Sequence, residues 1–409
     1  MTIRSRKKKV AVIKTRLQYD LRRLVSTALE LRFPIALWQM PQTQEKQLIV
    51  DFSGAPQHRK PDIADLPTGF LVAPFQDEGK AYFLHADLHV SSEAATPVES
   101  FRAQTYGTET YAQKETFWQT LKQRNRKQAE KVPFFEASGQ DTAVKWPEYR
   151  AALERGIEEI RKGTFTKFVL SRTKPVPLTA DFSPLETFWT LCKTYSNAFV
   201  SLVSAPQIGT WISATPEILI SQNADGLFRT IALAGTQARG KLDDLKEASW
   251  RQKEIEEQAL VSRYIIDCFK KIRLREFEEY GPRTVAAGNL IHLRTDFQVD
   301  TKAVNFPELP TVMLELLHPT SAVCGMPKSP ALQFILENEQ YDRAFYSGYL
   351  GPVHVRNETH LFVQLRCMQL KEGEAILYAG GGITIDSEPE KEWQETEIKF
   401  DTLGKMLPG

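Results

Sequence analysis

The segment LFVQLRCMQLKEGEAILYAGGG, at Leu361–Gly382, contains two strand-like runs in close succession. Alternating side chains predict a first strand over Leu361–Leu370, and Glu374–Ala379 predicts a second, followed by a turn at Gly380–Gly382. Similar strand runs occur among long helical patterns elsewhere in the chain, without regular βαβ alternation. This order predicts an α+β fold with largely antiparallel sheets.

The region after Trp146 has the clearest element patterns. They predict helices over Pro147–Lys162, Pro184–Tyr195, Lys246–Ile272 and Ser387–Leu407, and strands over Phe165–Lys174, Ala198–Ser204, Trp211–Ser213 and Glu217–Ser221. The preceding stretch, Val132–Lys145, indicates a surface connection. We therefore divide the chain into residues 1–140, an N-terminal portion of the fold, and residues 141–409, which contain the candidate site.

Composition and charge limit the possible functions. The 409 residues include 52 Lys and Arg against 51 Asp and Glu, so the net charge of +1 argues against a nucleic-acid or membrane-surface partner. No apolar run reaches the roughly 18 residues of a membrane helix. Lys14 and Arg16 interrupt the start before it could act as a signal peptide. The four cysteines lie far apart without a CxxC pair, which favours a cytoplasmic protein with buried thiols.

Lys167 lies on the same predicted strand face as Phe165 and Val169. One interpretation is an edge-strand lysine that discourages pairing with another chain, and the pattern alone favours it. The other is a partly buried lysine whose charged form is disfavoured by desolvation. Such a neutral amine could act as a base.

Two carboxylates fall on the apolar stripe of the predicted helix Lys246–Ile272. Glu254 and Glu257 lie one turn apart, where Leu or Ala would be expected. A carboxylate that faces the core must be paired or bind a cation. The alternative is that this turn of the helix overhangs solvent, and the pattern leaves both open.

The last predicted helix repeats this arrangement. Beside its apolar stripe lies a ridge formed by Glu392, Glu395 and Lys399. This ridge is close to the triglycine Gly380–Gly382. Two carboxylates one turn apart could supply oxygens to a Mg²⁺ ion that keeps several waters. An exposed Glu395–Lys399 pair, worth only a few tenths of a kcal/mol, explains the same pattern.

Arg366, the triglycine and His292 complete the candidates. Arg366 shares a strand face with Gln364, and its planar guanidinium suits a carboxylate. Gly380–Gly382 allows a close backbone approach to an anion but matches neither GxGxxG nor the P-loop pattern, so we reject those nucleotide sites. His292 stands between Ile291 and Leu293, a pattern more typical of a core histidine than of a catalyst.

Several segments, in order, resemble motifs of the chorismate-utilising enzymes, a family related to anthranilate synthase component I. They are Ala232–Thr236 with Arg239–Gly240, like the PIAGT motif; Leu317–Lys328, like the HPTPALSGxP stretch of isochorismate synthases; Tyr341–Gly351; the Arg366 strand; Ala379–Ile383; and Glu392–Thr396. The resemblance covers about Trp146–Leu407. It implies a single globular, α/β sandwich-like α+β unit with two large, mainly antiparallel sheets flanked by helices. Residues 141–409 would form its chorismate-binding catalytic region.

The resemblance also implies a cofactor and a set of site residues. The cofactor is Mg²⁺, with Glu257, Glu395 and Glu392 as metal carboxylates and Glu254 near them. The residues that would contact chorismate are His292, Tyr346, Arg366, Gly382, Lys399, Ala322, Gly235 and Thr236. One departure is Lys253–Gln258, which lacks the KDRxEH form common in relatives.

Two positions bear on the nucleophile. Ala234 stands where aminodeoxychorismate synthases carry a nucleophilic lysine, and Lys167 stands where ammonia-using anthranilate synthases usually carry Gln. A lysine there resembles the water-using branch, which implies Lys167 as catalytic base and Glu217 as general acid. The implied protein is an isochorismate synthase, an isomerase of the hydroxymutase type.

The resemblance implies a monomer without an amidotransferase subunit. Salicylate synthase, which goes on to eliminate pyruvate, and a non-catalytic chorismate sensor are the alternatives. A role in menaquinone or in siderophore biosynthesis stays open.

Overall fold

A computed structural model of the protein describes residues 20–407 except 77, 94–97, 100–107, 124–131, 137–142, 240–243 and 288–289. The helices are α1 (Leu21–Glu30), α2 (Thr108–Gln123), α3 (Trp146–Arg161), α4 (Pro184–Thr194), α5 (Gln252–Lys271), α6 (Leu309–Leu317), α7 (Lys328–Asn338) and α8 (Pro389–Gly404), with a 3₁₀ turn at Leu245–Glu247. Among the described residues, no helix has both the length and the apolar character needed to cross a membrane.

The strands of the N-terminal portion are β1 (Ile35–Gln39), β2 (Lys46–Val50), β3 (Gln57–Arg59), β4 (Gly69–Ala73), β5 (Ala81–His85), β6 (Leu88–Ser91) and β7 (Val98–Glu99). Those that follow are β8 (Lys167–Pro177), β9 (Phe199–Ala205), β10 (Gly209–Thr215), β11 (Ile218–Gln222), β12 (Leu227–Ala238), β13 (Glu278–Ala287), β14 (Leu290–Asp300), β15 (Gly325–Met326), β16 (Tyr349–Val353), β17 (Thr359–Val363), β18 (Cys367–Lys371) and β19 (Glu374–Ile383).

The strands form two large antiparallel sheets. The order in the first sheet is β15-β8-β19-β18-β10-β9-β1-β2-β6-β7, and in the second it is β13-β14-β12-β11-β17-β16-β4-β5-β3. Strand β1 pairs with β9 and β4 pairs with β16, so the N-terminal portion extends both sheets. The predicted α+β fold with two mainly antiparallel sheets is confirmed.

Three apolar layers hold the sheets and helices together. Between the sheets, Phe199 of β9 stacks on Phe362 of β17 with ring centroids 4.1 Å apart. On the outer face of the first sheet, α1, α4 and α8 bury one stripe each, and α5 and α6 do the same on the second sheet. Each of these five helices thus buries its apolar stripe against a sheet, and such burial is the main stabilising term of the fold.

The predicted single strand Leu361–Leu370 is wrong, because the chain changes sheets in its middle. Strand β17 belongs to the second sheet and β18 to the first, and Arg366 between them has a left-handed φ of 45°. The neighbouring connection from β10 to β11 makes the same crossing at Pro216 and Glu217. Two backbone hydrogen bonds tie the crossings together, from Val363 N–H to Glu217 O at 2.9 Å and from Ala214 N–H to Arg366 O at 3.0 Å.

The predicted turn at Gly380–Gly382 is also wrong. Strand β19 runs through all three glycines, which pair in register with Ser171, Leu170 and Val169 of β8. The glycines are needed for space, not for a turn. A Cβ on Gly380 would lie 3.0 Å from the Tyr346 hydroxyl, and one on Gly382 would lie 2.7 Å from Lys167 Cε.

Candidate active site

A cleft opens where the two sheet crossings meet α5 and α8. We call it the central cleft. The volume that the centres of water molecules can occupy in it is about 200 Å³. Its walls include the following predicted site residues: Lys167, Glu217, Gly235, Glu257, His292, Ala322, Tyr346, Arg366, Gly382, Glu395 and Lys399. Glu392 lies just beside this lining. Thr236 is paired with His292 through the β12–β14 ladder, and its side chain is outside the described residues.

Lys167 projects into the cleft from the first residue of β8 and is only 7% exposed. The strand is covered on both edges, by β15 and by β19, so the edge-strand interpretation is wrong. Desolvation lowers the pKa of the Lys167 amine, the nearby Glu257 carboxylate opposes that shift, and the Lys399 ammonium adds to it. Lys167 forms part of the cleft wall, where its amine can face a bound molecule.

Glu217 enters the cleft from the second sheet, at the start of β11, and is 8% exposed. Burial raises the pKa of its carboxyl to about 7, while the positive charges of Lys167 and Arg366 act in the opposite direction. A carboxyl poised near neutral pH can give up a proton during a reaction. The cleft therefore contains an amine with a lowered pKa and a carboxyl with a raised one.

Helix α8 brings two carboxylates to the floor of the cleft. Glu392 is 4% exposed and accepts a hydrogen bond at its Oε1 from Ser387 Oγ at 2.7 Å. Burial raises the pKa of this carboxyl, whereas the Lys399 ammonium lowers the pKa of Glu395. Lys399 donates to Glu395 Oε1 at 2.5 Å and to Gly380 O at 2.6 Å. Glu395 and Lys399 thus form the predicted i,i+4 pair, with the Glu395 side chain half-exposed and the Lys399 ammonium held against β19 at the cleft wall.

Helix α5 contributes its first turns from the opposite wall. Glu254 and Glu257 both line the cleft, and Glu254 Oε2 also caps the helix by accepting from Arg251 N–H at 2.9 Å. Gly235 makes this approach possible: it has a φ of 64° at a bulge of β12, and a Cβ there would lie 3.1 Å from Glu254 O. Glu254 and Glu257 are half-buried where the turn borders the cleft, whereas the outer face of the same turn is exposed.

Cationic and aromatic groups form the remaining wall. Desolvation lowers the pKa of the Arg366 guanidinium, which lies at the sheet crossing. Burial, together with the Arg366 and Lys399 charges, lowers the pKa of His292 to about 4, so the imidazole is neutral near pH 7. Burial raises the pKa of Tyr346 to about 12, and its ring stacks on Tyr378 at 5.5 Å. The wall thus offers one fixed cation and neutral hydrogen-bonding groups.

The carboxylates can be tested against a Mg²⁺ ion. Among the described residues, no three His, Cys, Asp or Glu side chains cluster closely enough to form a ready-made metal site. Mg²⁺, however, is commonly held by one or two carboxylates and keeps several waters. Glu392 Oε2 is buried without a hydrogen-bond partner in the described chain, and a Cβ on Gly381 would lie 3.2 Å from it and 3.8 Å from Glu395 Oε1. The unsatisfied oxygen and its neighbour therefore fit such an ion.

Sequence reasoning missed two residues of the cleft. Lys253 lines it, and its Nζ lies 3.9 Å from Glu392 Oε1. Its position one turn before Glu257 on the same helix face was the available signal. Tyr378 backs Tyr346 from β19, and nothing in the local pattern separates it from an ordinary strand tyrosine.

Comparison with known proteins agrees with this arrangement. Residues 76–408 match the family model described as chorismate binding enzyme. Isochorismate synthase DhbC of Bacillus subtilis (strain 168) is 29% identical over 274 residues, covering 64% of this chain and 67% of DhbC. Isochorismate synthase EntC of Escherichia coli (strain K12) is 31% identical over 201 residues, covering 48% of this chain and 50% of EntC. The matched region thus spans half to two thirds of these relatives' own length.

The fold has a counterpart among solved structures. MenF, the menaquinone-specific isochorismate synthase from Escherichia coli, superposes with a TM-score of 0.74 over 95% of this chain and 92% of MenF, at 20% identity. At this identity the likeness establishes the fold alone. It extends to the N-terminal portion, which the sequence motifs did not cover.

Proposed function

Because the chain belongs to the family of chorismate-binding enzymes, we propose that it is an isochorismate synthase, which converts chorismate reversibly to isochorismate. The observation that carries the proposal is the pair Lys167 and Glu217, two buried groups in one cleft whose pKa values are shifted in opposite directions. A site that only bound chorismate would need neither a neutral amine nor a protonated carboxyl.

In the proposed reaction Lys167 and Glu217 move the two protons. The neutral Lys167 amine accepts a proton from water as the water oxygen bonds to C2 of chorismate. The two ring double bonds shift, the C4–O bond breaks, and the Glu217 carboxyl donates its proton to the departing C4 oxygen, which leaves as water. Lys167 thus gains one proton and Glu217 loses one, so the total number of protons on the enzyme is unchanged. The enzyme returns to its starting state when Lys167 releases its proton and Glu217 takes one up.

Other cleft residues would orient the substrate. Chorismate carries two carboxylates, and Arg366, the Tyr346 hydroxyl and the Gly382 backbone offer hydrogen-bond donors for them. Holding both ends of the molecule places C2 near Lys167 and C4 near Glu217, and such orientation supplies much of an enzyme's rate enhancement. His292, Ala322, Gly235 and Thr236 would complete the walls around the ring.

We assign Glu257, Glu392 and Glu395 as the residues that would hold Mg²⁺. When bound, the ion would supply positive charge for the ring carboxylate of chorismate. Lys399 donates a hydrogen bond to Glu395, so it would keep the Glu395 carboxylate ionised and in place.

Water rather than ammonia is the proposed nucleophile, so no amidotransferase subunit is required. Ala234 has no amine to attack the ring, and Lys167, which lines the same cleft, would serve as the base for water. We also propose a cytoplasmic monomer, in which the four cysteines serve as buried apolar residues; all four are free and buried.

The proposal is tested by incubating the purified protein with chorismate, with and without Mg²⁺, and separating the products by chromatography. Isochorismate that forms only with Mg²⁺ and reaches equilibrium with chorismate is the expected result. Salicylate with pyruvate would instead indicate a salicylate synthase, and would direct attention to the wall at Ala322 and Val323. Bound but unconverted chorismate would indicate a sensor.

A further inference from the structure

A second, much smaller cavity adjoins Glu217. It lies between the second sheet, α5 and the segment after α6. The volume that the centre of a water molecule can occupy in it is about 10 Å³. That volume is about what a single water molecule requires. Glu217 lines both this cavity and the central cleft, so the residue stands between them.

The wall of the small cavity is mostly apolar, but it includes a few polar residues that could hold a water molecule. Thr320 Oγ1 is buried and has no hydrogen-bond partner in the described chain, although leaving a buried hydroxyl unpaired is destabilising. Two more hydroxyl-bearing residues, Thr230 and Tyr264, line the cavity. Thr230 donates to Leu219 O and Tyr264 donates to Leu316 O, each at 2.7 Å, and both oxygens keep lone pairs that can accept. Buried waters usually make two to four hydrogen bonds, which these groups and the Glu217 carboxyl can supply.

We propose that one buried water molecule bridges the Thr320 hydroxyl and the Glu217 carboxyl, and that Thr320 is thereby a positioning residue for the proton donor. Its catalytic consequence rests on the proposed function, whereas the water site itself does not. A water that donates to one carboxyl oxygen leaves the acid proton on the other oxygen, which faces the cleft. When this proton moves to the departing C4 oxygen, the same hydrogen bond strengthens because its acceptor becomes charged.

The charged and titratable groups around Glu217 define how this water would act. Lys167 and Arg366 face it across the cleft and favour its ionised form. Tyr264 faces it from α5 across the small cavity as a neutral phenol, since burial raises the pKa of that hydroxyl above its ordinary value. The bridging water adds stabilisation of the carboxylate. Removing it should therefore raise the pKa of Glu217 and slow the proton donation.

Thr320→Val, with Thr320→Ser as the matched control, tests this role. Valine keeps the shape of threonine but removes the hydroxyl, whereas serine keeps the hydroxyl. For Thr320→Val we expect kcat to fall by about 10-fold with KM for chorismate unchanged, and the alkaline limb of kcat/KM against pH to move to higher pH. Thr320→Ser should restore both. A Thr320→Val enzyme with the wild-type kcat and pH profile would overturn the proposal.

A second readout requires no activity. The infrared C=O stretch of protonated Glu217, assigned by difference against Glu217→Gln, should move to higher frequency in Thr320→Val because the carbonyl oxygen loses its hydrogen bond. If that shift occurs in a protein that does not convert chorismate, the water site stands and the proposed function fails. If chorismate is converted and no shift occurs, the water site fails.

A high-resolution crystal structure of the wild-type protein decides the case even if Thr320→Val does not fold. An ordered water within hydrogen-bond distance of Thr320 Oγ1 and the Glu217 carboxyl would support the proposal. An empty cavity would overturn it.

Discussion

Gly382→Ala tests whether the position of the Lys167 amine controls the reaction. A Cβ at residue 382 would lie 2.7 Å from Lys167 Cε and 3.1 Å from Nζ, whereas ordinary contacts begin at 3.4 Å. The end of the lysine must therefore move by more than half an ångström. Gly382 has no left-handed φ, so alanine introduces no backbone strain of its own.

The expected effect falls on rate far more than on stability. The atoms that must yield are the end of a flexible side chain, so the free energy of unfolding should fall by only about 1 kcal/mol, at the low end of the range for overpacking. A misplacement of about 1 Å can cost roughly 100-fold in rate. For Gly382→Ala we therefore expect kcat for isochorismate formation to fall by about 10- to 100-fold, measured at saturating Mg²⁺ and chorismate.

Gly404→Ala is the matched control. Its Cβ would meet only Leu377 Cδ1, at 3.6 Å, and it lies in the last turn of α8, away from the cleft. This variant should keep the wild-type kcat and gain up to about 1 kcal/mol of stability from helix propensity. A Gly382→Ala enzyme with wild-type kcat would refute the reasoning, because the amine would then tolerate displacement and could not be the positioned base.

Three further predictions concern the cleft. Lys167→Ala should abolish isochorismate formation while chorismate still binds in a calorimetric titration; retained turnover would exclude Lys167 as the base. Burial raises the pKa of Glu217 from 4.5 to about 7, so the folded state holds this proton more tightly than the unfolded state. The resulting stability is present below pH 4.5 and lost as pH rises to about 7. Urea unfolding should therefore show Glu217→Gln gaining stability relative to wild type by up to about 3 kcal/mol at pH 8 and nothing at pH 4; a pH-independent difference would contradict this. Ser387→Ala removes the hydrogen bond that orients Glu392, so it should weaken Mg²⁺ binding by about 10- to 100-fold in calorimetry; unchanged affinity would argue against Glu392 as a ligand.

Local signals explain which parts of the fold the sequence could predict. Helix α4 was predicted within one residue of its true end, because Ser183 accepts a hydrogen bond from Glu186 N–H as its cap and Pro184 begins the first turn. Strands β9 and β11 were placed with similar success. Their alternation and length are properties of a short stretch of chain.

The break at Arg366 could not be predicted in the same way. The apolar alternation continues from β17 into β18, and only the distant partners β11 and β10 decide that the two halves join different sheets. The prediction of a turn at the triglycine Gly380–Gly382 failed for a related reason. Glycine usually marks a turn, but here it makes room for Lys167 and Tyr346, which reach it from elsewhere in the sequence.

The same limit applies to the candidate site. The sequence pattern alone did not decide between a structural and a functional interpretation of Lys167 and Glu257. The burial of each side chain depends on strands and helices that are distant in the sequence and pack against it in the fold. The ordered motifs supplied the missing information by placing both residues in one known arrangement. Thr320 lies within one of these motifs, but the motif gives no reason to single out its hydroxyl, because a hydroxyl beside a water-sized cavity is visible only in three dimensions.

The charges of the cleft connect two parts of the proposed function, the bound divalent cation and the neutral Lys167 amine. Among the described residues, the carboxylates of Glu254, Glu257, Glu392 and Glu395 share the site with three cationic side chains besides Lys167, those of Lys253, Arg366 and Lys399. A dianionic substrate would make this balance more negative, and negative charge near Lys167 raises the pKa of its amine. A bound Mg²⁺ would offset the two substrate charges, so desolvation could keep Lys167 neutral when chorismate is present. In the proposed reaction the carboxylates assigned to Mg²⁺ would therefore serve substrate binding directly and the base indirectly, through the charge of the ion that they hold.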